Sequence, residues 1–260
     1  MSLAARPGNF GTRFHNFLYR ELGLNFIYKA FTTRDIRSSI GGIRALGIRG
    51  CAISMPFKEA CIEYLDELDA SAKGITSVNT IVNTDGHLKA YNTDYTAVSK
   101  LLRSSAIPPN AHFALLGSGG MAKAVACALR DAGFTNGLIV ARNERTGIAL
   151  ANQYGFGRKK ELTDEKPDLL INVTPLGMAG GPEAEQIAFS EELVRSARFV
   201  FDVVALPPET PLIRLAGALG KKTITGAEVI VLQALEQFVL YTGVRPGEGL
   251  IEKAAAFARA

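Results

Sequence analysis

Cysteine and histidine are both scarce in this chain, three of each in 260 residues. Cys51, Cys61 and Cys127 form no CxxC pair, and each falls in an apolar strand or helix pattern, where a small buried thiol is the ordinary role. A reducing compartment fits. His15, His87 and His112 lie far apart, with no second His or Cys at a ligand spacing, so no catalytic metal is expected. Long apolar runs are also missing: none approaches the roughly 18–20 residues of a spanning helix. The first residues, MSLAARPGNFG, carry no apolar signal region. A cytoplasmic protein with no membrane partner is expected. Charge of one sign is short as well, since 29 basic and 25 acidic residues leave only +4. The Lys and Arg are scattered rather than gathered into a stripe with interleaved aromatics, so nucleic acid is not an expected partner. Internal repeats, low-complexity segments and coiled-coil patterns are absent too, and oligomeric state stays open.

What is present is an ordinary globular composition, 47% hydrophobic and 21% charged, enough to bury a core. Apolar runs of strand length alternate with stretches of helical period from end to end, the α/β pattern of a sheet covered by helices. NFIYKAF, IRGCAI and SVNTIVN read as strands, separated by helical stretches near TRFHNFLYREL, DIRSSIGGIRAL and KEACIEYLDEL. The Asp85-Gly86 pair closes a hairpin into HLKAYN, because glycine supplies the positive φ of a tight turn. This first unit therefore reads as α/β with an antiparallel edge. A helix from Tyr95 to about Ser104 leads into SSAIPPNA, a polar break with two prolines that marks a boundary. Then follow a strand at 112–116, a glycine-rich turn, a helix at 119–132, the strand GLIVA, a helix at 144–153, and the strands DLLINV, RFVFDVV and KTITG, a Rossmann-like order. EVIVLQALEQFVLYTG and GLIEKAAAFARA are two final helices, the first apolar nearly all round and so expected to be buried against the first domain. The expected division is 1–104, completed by helices at about 227–260, and a dinucleotide domain at 105–226.

LLGSGGMAKAVACALRDAG places Gly117-x-Gly119-x-x-Ala122 between a strand and a helix. Gly117 permits the tight turn, Gly119 lets backbone N–H groups approach a pyrophosphate, and Ala122 allows close helix–strand packing. Ser118, Gly120 and Met121 fill out the turn. A plain glycine-rich connector is the alternative; the strand-turn-helix context and the strand that follows favour a dinucleotide. At the end of that second strand, NAD-binding folds usually place a carboxylate for the ribose 2′-hydroxyl. This chain offers Arg142-Asn143-Glu144-Arg145 instead. A guanidinium there can pair with a 2′-phosphate that a carboxylate would repel, whereas Glu144 falls at the helix start, where acids answer the dipole. NADP is the expected cofactor.

A dinucleotide domain joined to a second α/β domain is expected to leave a cleft, and chemistry there needs acid–base groups. Lys58, closing GCAISMPFK, and Asp94, in KAYNTDYTA, are the candidates. A solvated lysine and a helix N-cap are the ordinary roles for such residues. Asn79 and Asn92 lie in apolar strands and Gln233 and Gln237 in an apolar helix, where an unpaired amide costs about 1–3 kcal/mol. Either they satisfy backbone or they line a polar pocket, and four such amides in otherwise apolar segments favour the pocket.

These residues, in this order, resemble the shikimate dehydrogenases, NADP-dependent enzymes that interconvert 3-dehydroshikimate and shikimate, and the resemblance covers nearly the whole chain. GCAISMPFK is similar to the family's GxNVTxPxK, SVNTIV to its AVNT segment, YNTDYTA to NTDxxG and GSGGMAKAV to GAGGAxxAV. NVTPLGM, FDVVALPPETPL and LQALEQFVLYTG complete the order. The resemblance implies Lys58 and Asp94 as the catalytic pair and Ser54, Asn79, Gln233 and Asn9 as substrate contacts. It also implies Thr174, Val203 and Gly226 as cofactor contacts, Gly226 near the nicotinamide. Arg142 matches the arginine of the family's NRT segment, with Ala141 and Asn143 as changed neighbours. Other positions depart from the pattern. Asn9 and Gly11 stand where the family's SxSPxxHN motif has the two serines that hold the substrate carboxylate; Ala52 replaces an asparagine and Ala205 a tyrosine. Losing such contacts, at about 0.5–1.5 kcal/mol each, is expected to cost powers of ten in shikimate binding or turnover.

The resemblance thus implies a divergent branch, an NADP-dependent oxidoreductase transferring a hydride between the nicotinamide and a secondary alcohol of shikimate or a close analogue. Quinate or another polyol is the alternative substrate. A nucleotide-sensing module with vestigial catalysis is the alternative class, against which the retained Lys58 and Asp94 stand.

Overall fold

Asp85 and Gly86 both take positive φ, 51° and 88°, and so turn one strand back on the next. Around that hairpin the chain forms the first of two units. The computed structural model describes residues 1–5 and 8–260. They divide into Met1–Thr96 with Val231–Ala260, and Ala97–Ile230, so both divisions fall inside continuous helices. Among the described residues no helix is long and apolar enough to cross a membrane.

The first unit runs β1 (Ser2–Leu3), α1 (Phe10–Glu21), β2 (Ala30–Phe31), α2 (Ile36–Ala45), β3 (Gly50–Ile53) and α3 (Phe57–Ala60), then a single 3₁₀ turn, β4 (Glu67–Leu68), α4 (Ala70–Lys73), β5 (Thr80–Thr84) and β6 (His87–Tyr91). The sheet order is β2-β1-β3-β5-β6-β4. β1 pairs parallel with both β2 and β3, while β3–β5 and β5–β6 are antiparallel.

Several expectations shift here. β1 lies inside the sheet although its two residues, Ser2 and Leu3, are too few to show a period; being so short, it pairs with only Ala30 and Phe31 of the NFIYKAF run. KEACIEYLDEL is not one helix. Asp66 is held by Arg44 at 2.6 Å and by the Leu88 N–H at 2.7 Å, and Glu67–Leu68 is drawn into a parallel ladder with β6. That ladder covers the hairpin, so the antiparallel strand is not the edge.

The C-terminal helix α11 (Glu248–Arg259) packs against α1, and Phe14, Leu18, Ala234, Phe238, Tyr241 and Ala254 form one buried cluster. His15 sits in it fully buried, stacked on Tyr28 with ring centroids 4.5 Å apart. Neither ring nitrogen has a hydrogen-bond partner among the described residues. Burial, helped by the nearby amino terminus, lowers its pKa from 6.5 to about 3, with the Gln237 amide opposing. Between those values the unfolded chain takes up a proton that the folded chain refuses, so stability is lost on acidification, at about 1.4 kcal/mol per pH unit. His15→Phe is expected to shrink the difference in urea stability between pH 7 and pH 5 by about 1–2 kcal/mol.

The second unit is led by most of α5 (Thr93–Ser104). It continues β7 (Phe113–Leu116), α6 (Gly120–Asp131), β8 (Gly137–Val140), α7 (Glu144–Tyr154), β9 (Gly157–Lys159), β10 (Leu169–Asn172), α8 (Glu191–Ser196), β11 (Phe199–Asp202), α9 (Pro211–Ala218) and β12 (Lys222–Thr225). α10 (Gly226–Thr242) then starts here and ends in the first unit. All pairings are parallel in the order β12-β11-β10-β7-β8-β9. The order reverses between β7 and β10, and the loops at such a switch point are where α/β sheets bind ligands.

Candidate functional site

In the first unit, Lys58 lies in α3 directly after β3, and Asp94 is the second residue of α5. Lys58 Nζ donates to Asp94 Oδ2 at 2.6 Å, with the two side chains 22% and 13% exposed. Neither residue plays its ordinary role. The lysine is not a solvated charge, and the α5 cap is supplied by Asn92, whose Oδ1 accepts from the Tyr95 N–H at 2.9 Å. Asn92 Nδ2 donates to the Ser77 carbonyl at 2.9 Å, so this amide satisfies backbone.

Asn79 behaves differently. Its Oδ1 accepts from the Thr93 N–H at 2.7 Å, the Thr80 hydroxyl at 2.8 Å and the Thr93 hydroxyl at 3.1 Å. Its Nδ2 is buried and has no partner among the described residues. Three donors fix which way the amide points, and its own donor is the one the described residues leave unmet. The backbone ties Asn79 to the charged pair on both sides: Val78 N–H donates to the Lys58 carbonyl at 2.8 Å, and Thr93 precedes Asp94. Gln237 is a support, its Nε2 donating to Thr80 Oγ1 at 3.0 Å and to the Asn79 carbonyl at 3.3 Å. Gln233, one turn earlier on α10, is half-buried. Ser54 follows β3 and Asn9 begins α1, both exposed, and Asn9 makes no side-chain cap. Thr80 and Thr93 escaped the sequence reading because a threonine in a strand or helix start looks like ordinary propensity; their position beside the amides of SVNT and NTD was the available signal.

In the second unit, Gly117 follows β7 with φ of 124°, and a Cβ there would lie 2.8 Å from Val173 Cγ2. Only glycine fits both demands. Gly119 and Gly120 are exposed, and a Cβ on either would meet nothing within 4 Å. Gly119 caps the 12-residue helix α6 without a side-chain hydrogen bond. Open space, bare backbone N–H groups and a helix start together suit a pyrophosphate. Met121 is half-buried and Ala122 fully buried beneath the turn, and Ser118 Oγ pairs with Thr146 Oγ1 at 2.7 Å.

Arg142 and Arg145 are exposed just beyond β8, flanking Asn143, whose Oδ1 caps α7 through the Thr146 N–H at 3.1 Å. Glu144 is paired with Arg158 at 3.6 Å, and Arg158 also donates to the Ala141 carbonyl at 3.3 Å. The one acid in this corner is thus matched by a cation that the sequence reading missed, since it comes from β9, a strand too short to show a period. The excess positive charge suits the 2′-phosphate of NADP. Thr174 and Val203 lie in the loops after β10 and β11, and Gly226 opens α10. Burial pushes the Cys51 and Cys61 thiols up to about 12 and Cys127 to about 11, which removes thiolate chemistry.

Residues 10–81 match the family model described as the shikimate dehydrogenase substrate binding domain. A Haemophilus influenzae shikimate dehydrogenase-like protein is 58% identical over 259 residues, covering 100% of this chain and 96% of its own. A Pyrococcus abyssi shikimate dehydrogenase (NADP(+)) is 34% identical over 245 residues, covering 92% of this chain and 89% of its own. Among solved structures, a shikimate 5-dehydrogenase-like protein superposes with a TM-score of 0.97 at 57% identity, covering 100% of this chain and 97% of that one. Shikimate 5-dehydrogenase from Thermus thermophilus, in complex with NADP(H) and shikimate, gives 0.87 at 29% identity, covering 99% and 98%.

Proposed function

The chain belongs to the shikimate dehydrogenase family, and from that premise we propose that Lys58 and Asp94 handle the proton in an NADP-dependent oxidation of a secondary alcohol, that of shikimate or a close analogue. When bound, NADP supplies the hydride acceptor and, reduced, the hydride donor. The observation that carries the assignment is the 2.6 Å contact between Lys58 Nζ and Asp94 Oδ2, tied through the backbone to an amide whose Nδ2 has no partner.

The division of labour follows from donors and acceptors. An ammonium has three donors; Lys58 gives one to Asp94 and keeps two for the carbinol oxygen. Those donors stabilise negative charge as it develops on that oxygen, and the departing proton passes to the adjacent Asp94 carboxylate, since the ammonium has no acceptor. Asn79 Nδ2 donates to a neighbouring hydroxyl and so fixes which carbon faces the nucleotide. Ser54, Gln233 and Asn9 complete the substrate contacts. Gly117, Ser118, Gly119, Gly120, Met121 and Ala122 hold the pyrophosphate, while Arg142, Asn143 and Arg145 hold the adenosine end. Thr174, Val203 and Gly226 line the nicotinamide end. Three buried free cysteines suit the reducing cytoplasm.

The replaced carboxylate-holding serines, at Asn9 and Gly11, favour a substrate that differs from shikimate where those residues would touch it. The test is a panel of initial rates at the nicotinamide absorbance band, with NADP and NAD against shikimate, quinate and related alcohols. Turnover of at least one cyclic alcohol with NADP is expected. Arg142→Gln is expected to raise KM for NADP about tenfold, the loss of one charge-assisted contact, and to leave NAD kinetics unchanged. Tight NADP binding with no turnover of any alcohol would instead support a sensor.

A further inference from the structure

The second unit buries a carboxylate that the proposed chemistry does not use. Asp202, the last residue of β11, is fully buried. Its Oδ1 accepts from Asn172 Nδ2 at 3.0 Å and from the Val204 N–H at 3.1 Å, and its Oδ2 accepts from the Thr210 hydroxyl at 2.6 Å. Asn172, the last residue of β10, passes the order on. Its Oδ1 accepts from the Thr174 N–H at 3.0 Å and the Thr174 hydroxyl at 2.6 Å, and its Nδ2 also reaches the Leu176 carbonyl at 3.2 Å.

Stability alone does not call for such a group, since well-packed apolar residues replace buried charges at no loss and often a gain. What a carboxylate supplies is direction: two oxygens fix the donors that point at them. Here those donors belong to the end of β10 and to the two ends of the loop between β11 and α9. The Asn172 bonds shape Val173–Thr174, and it is Val173 Cγ2 and Thr174 Cγ2 that would lie 2.8 and 3.2 Å from a Cβ at Gly117. The Val204 bond shapes the turn after β11, and the Val203 and Val204 carbonyls are what a Cβ at Gly226 would strike. Thr210 is the cap of α9.

Thr174 and Val203 are therefore bonded directly to Asn172, and Gly117 and Gly226 each sit one contact further out, against Val173–Thr174 and Val203–Val204. We propose that Asp202 is a positioning residue for the dinucleotide, acting through Asn172 and the Val204 N–H to hold the loops after β10 and β11 against the glycine turn. This rests on the NADP assignment made for the same unit.

Two measurements on the full-length protein test it: calorimetric NADP affinity, and hydrogen exchange of residues 173–176 without nucleotide. Asp202→Asn removes the negative charge that the Asn172 and Val204 donors face and puts an NH2 group where Oδ2 accepted the Thr210 hydroxyl, and it is expected to speed that exchange and weaken NADP, each about tenfold or more. Val194→Ala, a buried position in the core of the same unit, serves as the control for lost stability. At a comparable fall in Tm it is expected to change both readouts less than about twofold. NADP affinity within about twofold of wild type in Asp202→Asn, or an equal loss in Val194→Ala, overturns the proposal. Should Asp202→Asn not fold, Thr174→Val removes the hydroxyl that bonds Asn172 and that also accepts the Leu176 N–H at 3.3 Å, so the readout is the amide of residue 174, whose own bond to Asn172 is left in place; exchange there must still speed, and unchanged exchange overturns it. Failure of wild type to bind NADP would instead sink the cofactor assignment itself.

Discussion

Lys58→Ala is expected to lower kcat by about a thousandfold, the usual cost of removing a proton-handling and charge-stabilising group together. NADP affinity should stay within about twofold, because Lys58 lies on none of the loops assigned to the nucleotide. Removing the ammonium takes away the donors that stabilise alkoxide character and leaves Asp94, 13% exposed, with no opposite charge in contact among the described residues. The methylene stem of Lys58 is only half-buried, so the variant should fold. The informative pattern is a collapse of kcat with intact calorimetric NADP binding. Activity near wild type would remove Lys58 from the mechanism, and parallel loss of both quantities would point to a folding defect.

Gly226→Ala is expected to have the second largest effect, on the protein as a whole. A Cβ at this position would fall on the Val204 carbonyl carbon and on the Val203 and Val204 oxygens, far inside van der Waals contact. Backbone cannot swing aside as a side-chain tip can, and Val204 is itself pinned by its bond to Asp202. Relief requires pushing α10 away from the end of β11, at a cost above about 3 kcal/mol. A fall in Tm well beyond that of an ordinary surface change should be seen, together with loss of NADP binding. Gly119→Ala is the counterpart: nothing lies within 4 Å of its Cβ, so stability should hold while NADP weakens, since the added methyl occupies the approach to the helix start. Equal melting behaviour in the two variants would contradict this division.

The parts of the fold that were legible were those with a period or a turn chemistry. β7, the glycine turn and α6 announced themselves because Gly117, Gly119 and Ala122 each answer a separate steric demand, and the Asp85-Gly86 turn did the same for the hairpin. β1, β4 and β9, two or three residues each, were not legible, because such strands have no period and exist only through their neighbours' ladders. In the site, Lys58, Asp94 and Asn79 could be picked out as polar groups in apolar surroundings, but not which of the amides was structural. Asn92 and Gln237 turned out to hold backbone and Thr80, while Asn79 keeps a buried donor with no partner among the described residues. That difference depends on contacts between residues as far apart as Gln237 and Thr80. The same limit hid Arg158, whose pairing with Glu144 removes the carboxylate that spoke for NAD.

Position by position, the proposed reacting pair and the nucleotide turn resemble the family pattern, whereas Asn9, Gly11, Ala52 and Ala205 depart from it. The reaction type therefore stands on firmer chemistry than the substrate, and it can be tested apart from rate. Shikimate carrying deuterium at the oxidised carbinol carbon should pass that label to NADP, and mass spectrometry of the reduced nucleotide would detect it even at low turnover. The account predicts labelled NADPH from wild type and a yield lower by about a thousandfold from Lys58→Ala. NADPH formed without label, or wild type that binds NADP yet transfers no deuterium from shikimate or any other cyclic alcohol labelled in the same way, would contradict it.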